Sequence, residues 1–309
     1  MACVAFWPSM RYSRPSAERW ASRAKIALGT LVEIRLPARQ SSPSHFELAF
    51  AEIDRIHARM SAHTGDSDLA RIAREAHRRP VAVDPDTYAV LETALALSEE
   101  TGGIFDVRIG SQLAAAGLLP EPEAASGTQP PGDILLRPGN RVSTTAPVAM
   151  DLGGIAKGYA VDRAVAALRG AGVSAGVVNA GGDLRVFGHR HWHALYIRHP
   201  REAGLAIHFG DGRAMALATS TGYYGSRIVD VRRDRVLRMR RSVSVAAESC
   251  MLADALTKVV ALAPRRAPAI LSRFRAQAWI VSARGGDFRV RTAGSVPSRH
   301  LRTALEAER

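Results

Sequence analysis

The stretch MDLGGIAKGYAVDRA, residues 150–164, combines an apolar-acidic segment, a pair of glycines and a helical pattern. Residues 149–152 are predicted as a strand end, Gly153 and Gly154 break it, and apolar residues at helical spacing follow. Two glycines before a helix let its free N–H groups approach a phosphate, and Lys157 in the first turn opposes the helix dipole unless an anion lies nearby. The pattern indicates a phosphate or diphosphate site. The plain alternative is a strand–turn–helix joint with a surface lysine.

The composition is that of a globular protein with a basic surface. The chain has 309 residues, of which 47% are apolar and 23% charged, and its net charge is +13. This charge favours anionic partners. Arginine is spread through the chain without a basic block that alternates with aromatic residues, so nucleic-acid binding is not expected. An unrelated anion-binding protein stays an open alternative.

The sequence also carries signals about location. Cys3 and Cys250 are the two cysteines, which exclude a disulfide framework. There is no apolar run of about 18 residues, so no transmembrane span is expected. The first 20 residues are too polar for a signal peptide. As written, the protein is expected to be cytoplasmic.

Periodicity predicts an α+β fold of helices packed on mostly antiparallel strands. We expect an irregular N-terminal segment over residues 1–24, one domain over residues 25–290 and a basic C-terminal tail over residues 291–309. Pro43 and Pro85 are predicted to open helices, since proline is accepted at the first helical position.

A second cluster of polar residues lies in ADALTK, residues 253–258. Asp254, Thr257 and Lys258 share one side of a predicted helix that is otherwise apolar. A carboxylate buried there requires a cation or a set of donors. The structural alternative is an ordinary salt-bridged aspartate. NAGGD, residues 179–183, adds a glycine turn between two predicted strands.

These motifs together resemble the ApbE family of FAD:protein FMN transferases over roughly residues 26–285. DLGGIAKGYAVD and NAGGD are the most specific, and GGIFDVRIG and SVSVAAESCMLADALTK follow the family's order. The resemblance implies a mixed α+β, two-lobed single domain with an FAD cleft between its halves. It implies Mg²⁺-dependent transfer of FMN from FAD to a threonine or serine hydroxyl of an acceptor flavoprotein, with release of AMP. Family members are often exported to the periplasm, and the sequence does not reveal the oligomeric state.

The resemblance also implies roles for particular residues. Asp254 and Lys157 are expected to be catalytic, and Gly154, Asp254 and Thr257 to hold Mg²⁺. The residues expected to contact FAD are Leu28, His63, Ile104, Phe105, Asp106, Asp151, Lys157, Asn179, Gly181, Gly182, Asp183 and Val229.

Four positions depart from the family pattern. Leu28 and His63 stand where the family often has methionine and tyrosine. Lys258 stands where the family usually has threonine, and an ammonium group cannot ligate a metal. Arg227 stands where the family often has a histidine that could accept the acceptor's proton. Metal held by Asp254 is favoured over replacement of the metal by Lys258, although both stay open. The alternative function is an FAD-binding protein without transfer activity, serving as a carrier or interaction module.

Overall fold

The computed structural model describes residues 19–120, 132–189, 193–198, 206–221, 227–239, 241–284, 287–295 and 301–303. Most of the N-terminal segment predicted to be irregular, residues 1–18, lies outside these ranges. So does much of the predicted basic tail, residues 296–300 and 304–309.

Seven α-helices occur within the described ranges. They are α1 (Pro43–Met60), α2 (Asp68–Glu75), α3 (Pro85–Thr101), α4 (Gly110–Ala115), α5 (Ala156–Gly170), α6 (Cys250–Leu262) and α7 (Ala267–Arg273). Side-chain caps and prolines fix the first residues of several of these helices. Ser42 and Asp84 accept hydrogen bonds from the first turns of α1 and α3, and proline follows each cap. Across these ranges, no helix has both the length and the apolar character needed to cross a membrane.

The main sheet has eight strands, and each pairs antiparallel with its neighbours. In spatial order the strands are β1 (Trp20–Ala27), β2 (Thr30–Pro37), β6 (Gly176–Ala180), β7 (Asp183–Phe187), β10 (Met215–Ser220), β13 (Ser242–Ala247), β14 (Gln277–Arg284) and β15 (Asp287–Gly294). The NAGGD turn joins β6 to β7, as predicted.

Three small antiparallel sheets accompany the main one. The first contains β3 (Val81–Ala82), β5 (Arg141–Thr144) and β4 (Ile134–Arg137). The second contains β16 (Leu301–Thr303), β9 (Ala206–Gly212) and β8 (His193–Arg198). The third pairs β11 (Arg227–Asp230) with β12 (Arg235–Arg238). The predicted α+β class with largely antiparallel sheets is confirmed. Its division into two lobes stays a prediction.

Three local predictions were wrong. Residues 20–24 are not irregular, because β1 begins at Trp20 and pairs with β2. Residues 149–152 form no strand: the backbone of Asp151 instead donates a hydrogen bond to Val107 O at 2.9 Å. The predicted tail contains the end of β15 and all of β16, because both segments pair with strands already in place.

Helices α1, α5 and α6 and the main sheet bury the larger core. Helix α5 packs against both α1 and α6, and α6 packs against β10 and β13. A smaller core lies on the opposite face of the sheet, between the sheet and β8. Val186 and Phe187, successive residues of β7, belong to the smaller and the larger core respectively.

Helices α5 and α6 approach so closely that only glycine fits at one position. A Cβ atom added to Gly158 would lie 2.2 Å from the carbonyl oxygen of Cys250. Asp162, one turn further along α5, accepts hydrogen bonds from the backbone N–H groups of Cys250 (3.1 Å) and Met251 (2.9 Å). The first turn of α6 is therefore held against the side of α5.

We expect Gly158→Ala to destabilise the protein by about 1–3 kcal/mol, because overpacking outweighs alanine's helix preference of about 1 kcal/mol. Gly170→Ala is the matched control, since nothing lies within 4 Å of the added Cβ at the other end of α5. That control should be neutral or slightly stabilising. Urea denaturation of both variants measures the difference. Equal stability of Gly158→Ala and the wild type would contradict the close approach of the two helices.

Candidate active site

The N-terminus of α5 forms one wall of the site. Helix α5 begins at Ala156 without a side-chain cap or an acidic residue in its first turn, and Lys157 lies in that turn, as predicted. The Asp151 carboxylate lies against Gly153, where an added Cβ would be 3.1 Å from Oδ2. Burial raises the pKa of Asp151, and the hydrogen bond from the Gly153 backbone and the charge of Lys157 offset part of this effect.

The centre of the site is a carboxylate shared by two ammonium groups. Asp254 on α6 is fully buried. Its Oδ2 accepts from Lys157 Nζ at 3.0 Å and from the Gly158 backbone at 3.3 Å. Its Oδ1 forms an ion pair with Lys258 Nζ, which also donates to the backbone carbonyl oxygen of Asp254 at 3.1 Å. Both carboxylate oxygens therefore carry a cationic partner.

The turn between β6 and β7 brings a second carboxylate to Lys157. Asp183 Oδ2 accepts from Lys157 Nζ at 2.6 Å. The turn is built by Asn179, whose Oδ1 accepts from the Gly182 backbone at 2.9 Å, and by Gly181 at φ +65°. A Cβ on Gly181 would lie 2.3 Å from Thr30 Oγ1, so this turn also requires glycine for space.

The cluster shifts the pKa values of the two aspartates in opposite directions. Burial alone would raise the pKa of Asp254, but the charges of Lys157 and Lys258 outweigh it and hold the pKa below its ordinary value. Burial and then the charge of Asp254 raise the pKa of Asp183. Burial disfavours the charged form of Lys157, yet Asp183 and Asp254 raise its pKa above its ordinary value. Asp254 is thus the carboxylate that keeps its charge most firmly.

A cavity of about 400 Å³ opens beside this cluster. The predicted site residues that line it are Ile104, Phe105, Asp106, Asp151, Gly154, Lys157, Gly181, Asp183 and Val229. The charged residues of its lining are Lys157, Lys258, Arg227, Asp106, Asp151 and Asp183, and much of the remainder is apolar. Such a cavity suits a ligand that combines a flat apolar ring with an anionic phosphate chain.

Six predicted site residues do not line this cavity. Leu28 forms the turn between β1 and β2, and His63 lines a separate cavity of about 180 Å³. Asn179 and Gly182 line an adjacent cavity of about 120 Å³. Asp254 and Thr257 are fully buried, and Asp254 lies behind its two lysine partners. The assignment of all these residues to FAD or metal stays a prediction.

The residues predicted to hold Mg²⁺ are already engaged with protein partners. Thr257 Oγ1 donates to the Asp254 carbonyl oxygen at 2.6 Å and shares a hydrogen bond of 2.7 Å with Ser220 Oγ. An added Cβ on Gly154 would lie 3.4 Å from Lys258 Cε. Within the part of the chain that the structure describes, no group of three His, Cys, Asp or Glu residues could hold a metal.

Twelve further residues line the cavity that were not assigned to the site from the sequence. They are Thr30, Ile109, Leu113, Gly153, Thr219, Ser220, Thr221, Arg227, Ile228, Met239, Lys258 and Leu262. Gly153 had been identified in the glycine break, and Arg227 and Lys258 as departures from the family pattern. The apolar residues carried no signal, because an ordinary core residue has the same pattern.

The family model of ApbE matches residues 28–280. The FAD:protein FMN transferase of Treponema pallidum is 30% identical over 188 residues, 54% of this chain and 51% of that protein. The FAD:protein FMN transferase of Vibrio cholerae is 30% identical over 238 residues, 66% of this chain and 70% of that protein. The chain thus spans about half the length of the Treponema pallidum relative.

Solved structures show the same fold. The flavin transferase ApbE from Vibrio cholerae superposes with a TM-score of 0.75 at 23% identity, over 90% of this chain and 98% of that one. The ApbE protein from Thermotoga maritima gives a TM-score of 0.72 at 27% identity, over 88% and 96%. Since the family model extends over most of the sequence, the chain belongs to the ApbE family.

Proposed function

We propose that the protein is an FAD:protein FMN transferase, which moves FMN from FAD to a threonine or serine hydroxyl of an acceptor flavoprotein. The observation that supports this proposal most directly is the cavity of about 400 Å³, which combines apolar walls with the Lys157 side chain at the start of α5. The names of the relatives in Treponema pallidum and Vibrio cholerae support the same activity.

The proposed step is a displacement at the phosphorus atom of the FMN half of FAD. The acceptor's hydroxyl oxygen forms a new bond to that phosphorus, and its proton passes to solvent water. The bond from the phosphorus to the bridging oxygen breaks, and AMP leaves with that oxygen. Positioning and neutralisation of the phosphate charge supply most of the catalysis in such reactions.

Lys157 is the residue proposed to meet the diphosphate. Its side chain is about one-third exposed, whereas its partners Asp183 and Asp254 are buried. The N–H groups at the start of α5 have no side-chain cap and add partial positive charge at the same place. Asp254 acts through Lys157 and Lys258 by fixing both ammonium groups, so its proposed role is to position them.

Magnesium, which the family resemblance implies, does not fit the side chains as arranged. Both carboxylate oxygens of Asp254 bind ammonium groups, and the Thr257 hydroxyl is occupied by Ser220 and a backbone carbonyl. A Mg²⁺ ion requires oxygen ligands at close range in octahedral geometry. The requirement for magnesium stays a prediction, and the positive charge proposed at the phosphates is the chain's own.

A second candidate is FAD binding without transfer, and Arg227 is the observation that favours it. Arg227 lies in the cavity wall where the family often has histidine, and its Nη1 donates to Ala116 O at 3.2 Å. A guanidinium group stays charged near neutral pH and cannot take the acceptor's proton. A chain without another base at that position would bind FAD and transfer nothing.

We expect the protein to bind FAD more tightly than FMN, and FMN more tightly than riboflavin, because Lys157 and the α5 N-terminus interact with phosphate. Lys157→Ala should weaken FAD binding by about 1–3 kcal/mol, the range for a charged hydrogen bond. Lys25→Ala is the matched control, since Lys25 pairs with Asp54 on the surface. Calorimetric titration of the three flavins measures these differences. Equal affinities would exclude a site centred on the diphosphate.

Covalent flavin on an acceptor tests the transferase assignment. We expect the protein, given FAD and a flavoprotein with a threonine-containing acceptor segment, to produce an acceptor band that fluoresces in a denaturing gel. Lys157→Ala should reduce the initial rate by at least about tenfold, because the phosphate loses a charged partner. An acceptor whose threonine is changed to alanine is the control. Tight FAD binding without labelling of any cognate acceptor would support the binding-only function.

A further inference from the structure

The Lys258 side chain lies beside two residues expected to hold the metal. Its Nζ forms an ion pair with Asp254 Oδ1, and its Cε lies 3.4 Å from the position of an added Cβ on Gly154. The remaining predicted ligand, Thr257, turns its hydroxyl toward Ser220 and the Asp254 carbonyl. The space next to the carboxylate is therefore already filled by a cation that is covalently part of the chain.

The two lysine side chains of the cluster are more exposed than its two aspartate side chains. The side chains of Lys258 and Lys157 are 20% and 31% exposed and line the cavity, whereas those of Asp254 and Asp183 are 0% and 4% exposed. Of these four side chains, the two lysines therefore present the larger surface to the cavity, whose wall also includes Asp106 and Asp151. An ammonium has three N–H donors, and the structure shows two hydrogen bonds from Lys258 Nζ, both to Asp254. The third donor can reach a phosphate oxygen.

Lysine is rare in this chain. Only three of its 42 basic residues are lysines, at positions 25, 157 and 258, and the other basic residues are arginines. Two of the three lysines converge on Asp254. An ammonium is a compact point charge, whereas a guanidinium is a broad planar fork. A compact group suits the space beside Asp254 and Gly154 better than a planar fork does.

We propose that Lys258 is the built-in cation of this site, which binds a phosphate oxygen of FAD in place of a divalent metal. The inference rests on the proposed function, because it concerns the same diphosphate. Lys258 forms no covalent bond. It donates a hydrogen bond to a non-bridging phosphate oxygen while the displacement described above proceeds. FAD binding and FMN transfer are then independent of Mg²⁺.

The first test compares FAD affinity of the wild-type protein in EDTA and in Mg²⁺, by flavin fluorescence titration. We expect the two dissociation constants to agree within about twofold, because the cation is tethered. Binding of FAD in Mg²⁺ but not in EDTA would overturn the role of Lys258 and leave the proposed function standing. Failure to bind FAD in either buffer would overturn the proposed function itself.

Two substitutions at Lys258 sharpen the test. Lys258→Met removes the charge and offers no oxygen, so FAD affinity should fall about 10- to 100-fold in both buffers, as for the loss of one charged hydrogen bond. Lys258→Thr restores an oxygen, so its FAD affinity should fall in EDTA and recover in Mg²⁺. An unchanged affinity of Lys258→Thr in EDTA would overturn the proposal.

Controls separate the loss of a cation from the loss of folding. Riboflavin has no phosphate, so its affinity should be unchanged in both Lys258 variants if the cavity is intact. Lys25→Met removes the third lysine, on the surface at β1, and should bind FAD like the wild type. If the variants prove unstable, the wild-type comparison in EDTA and Mg²⁺ still decides. Transfer by the wild type that persists in EDTA would be the corresponding result for turnover.

Discussion

The buried carboxylate of Asp254 is the interaction on which the site depends. An isolated carboxylate without exposure to water would be strongly disfavoured, and here two ammonium groups and a backbone N–H compensate it. The partners come from different elements: Lys157 and Gly158 from α5, and Lys258 from α6 itself. The requirement to satisfy one buried charge thus ties the start of α5 to the middle of α6 and orients both lysines toward the cavity.

That arrangement requires helices α5 and α6 to lie unusually close. Gly158 removes the side chain that would collide with the Cys250 carbonyl, and its own N–H donates to Asp254. Asp162 then binds the free N–H groups at the start of α6. The packing of two helices and the electrostatics of the site are therefore one structural feature, and a change in either alters the other.

The resulting cavity differs from what the family pattern alone implies. A divalent ion between phosphate and carboxylate carries two positive charges and can dissociate, whereas Lys258 carries one and cannot. A tethered single charge neutralises less of a diphosphate but is always present. Arg227, in the same wall, likewise places a cationic side chain where the resemblance implies a histidine.

The sequence by itself determined most of the elements and the residue types at the centre of the site. The glycine break, the lysine in the first turn of α5, the NAGGD turn and the α+β class follow from local rules of helix starts, turns and periodicity, and the structure confirms them. Residues 149–152, β1 and β16 were mispredicted, because their conformations depend on partners far away in the chain, such as Val107 for Asp151. The motifs also indicated that Asp254 needs a cation.

Only the tertiary structure decided which side chains pair with Asp254. Spacing placed Lys258 on the same helix face as Asp254, but it could not show that Lys157, 97 residues earlier, binds the other carboxylate oxygen. It also could not show that Asn179 holds a turn or that Met239 and Leu262 line the cavity. The physical reason is that periodicity reports which face of an element is buried. The partner that a buried group meets is set by how the elements pack together.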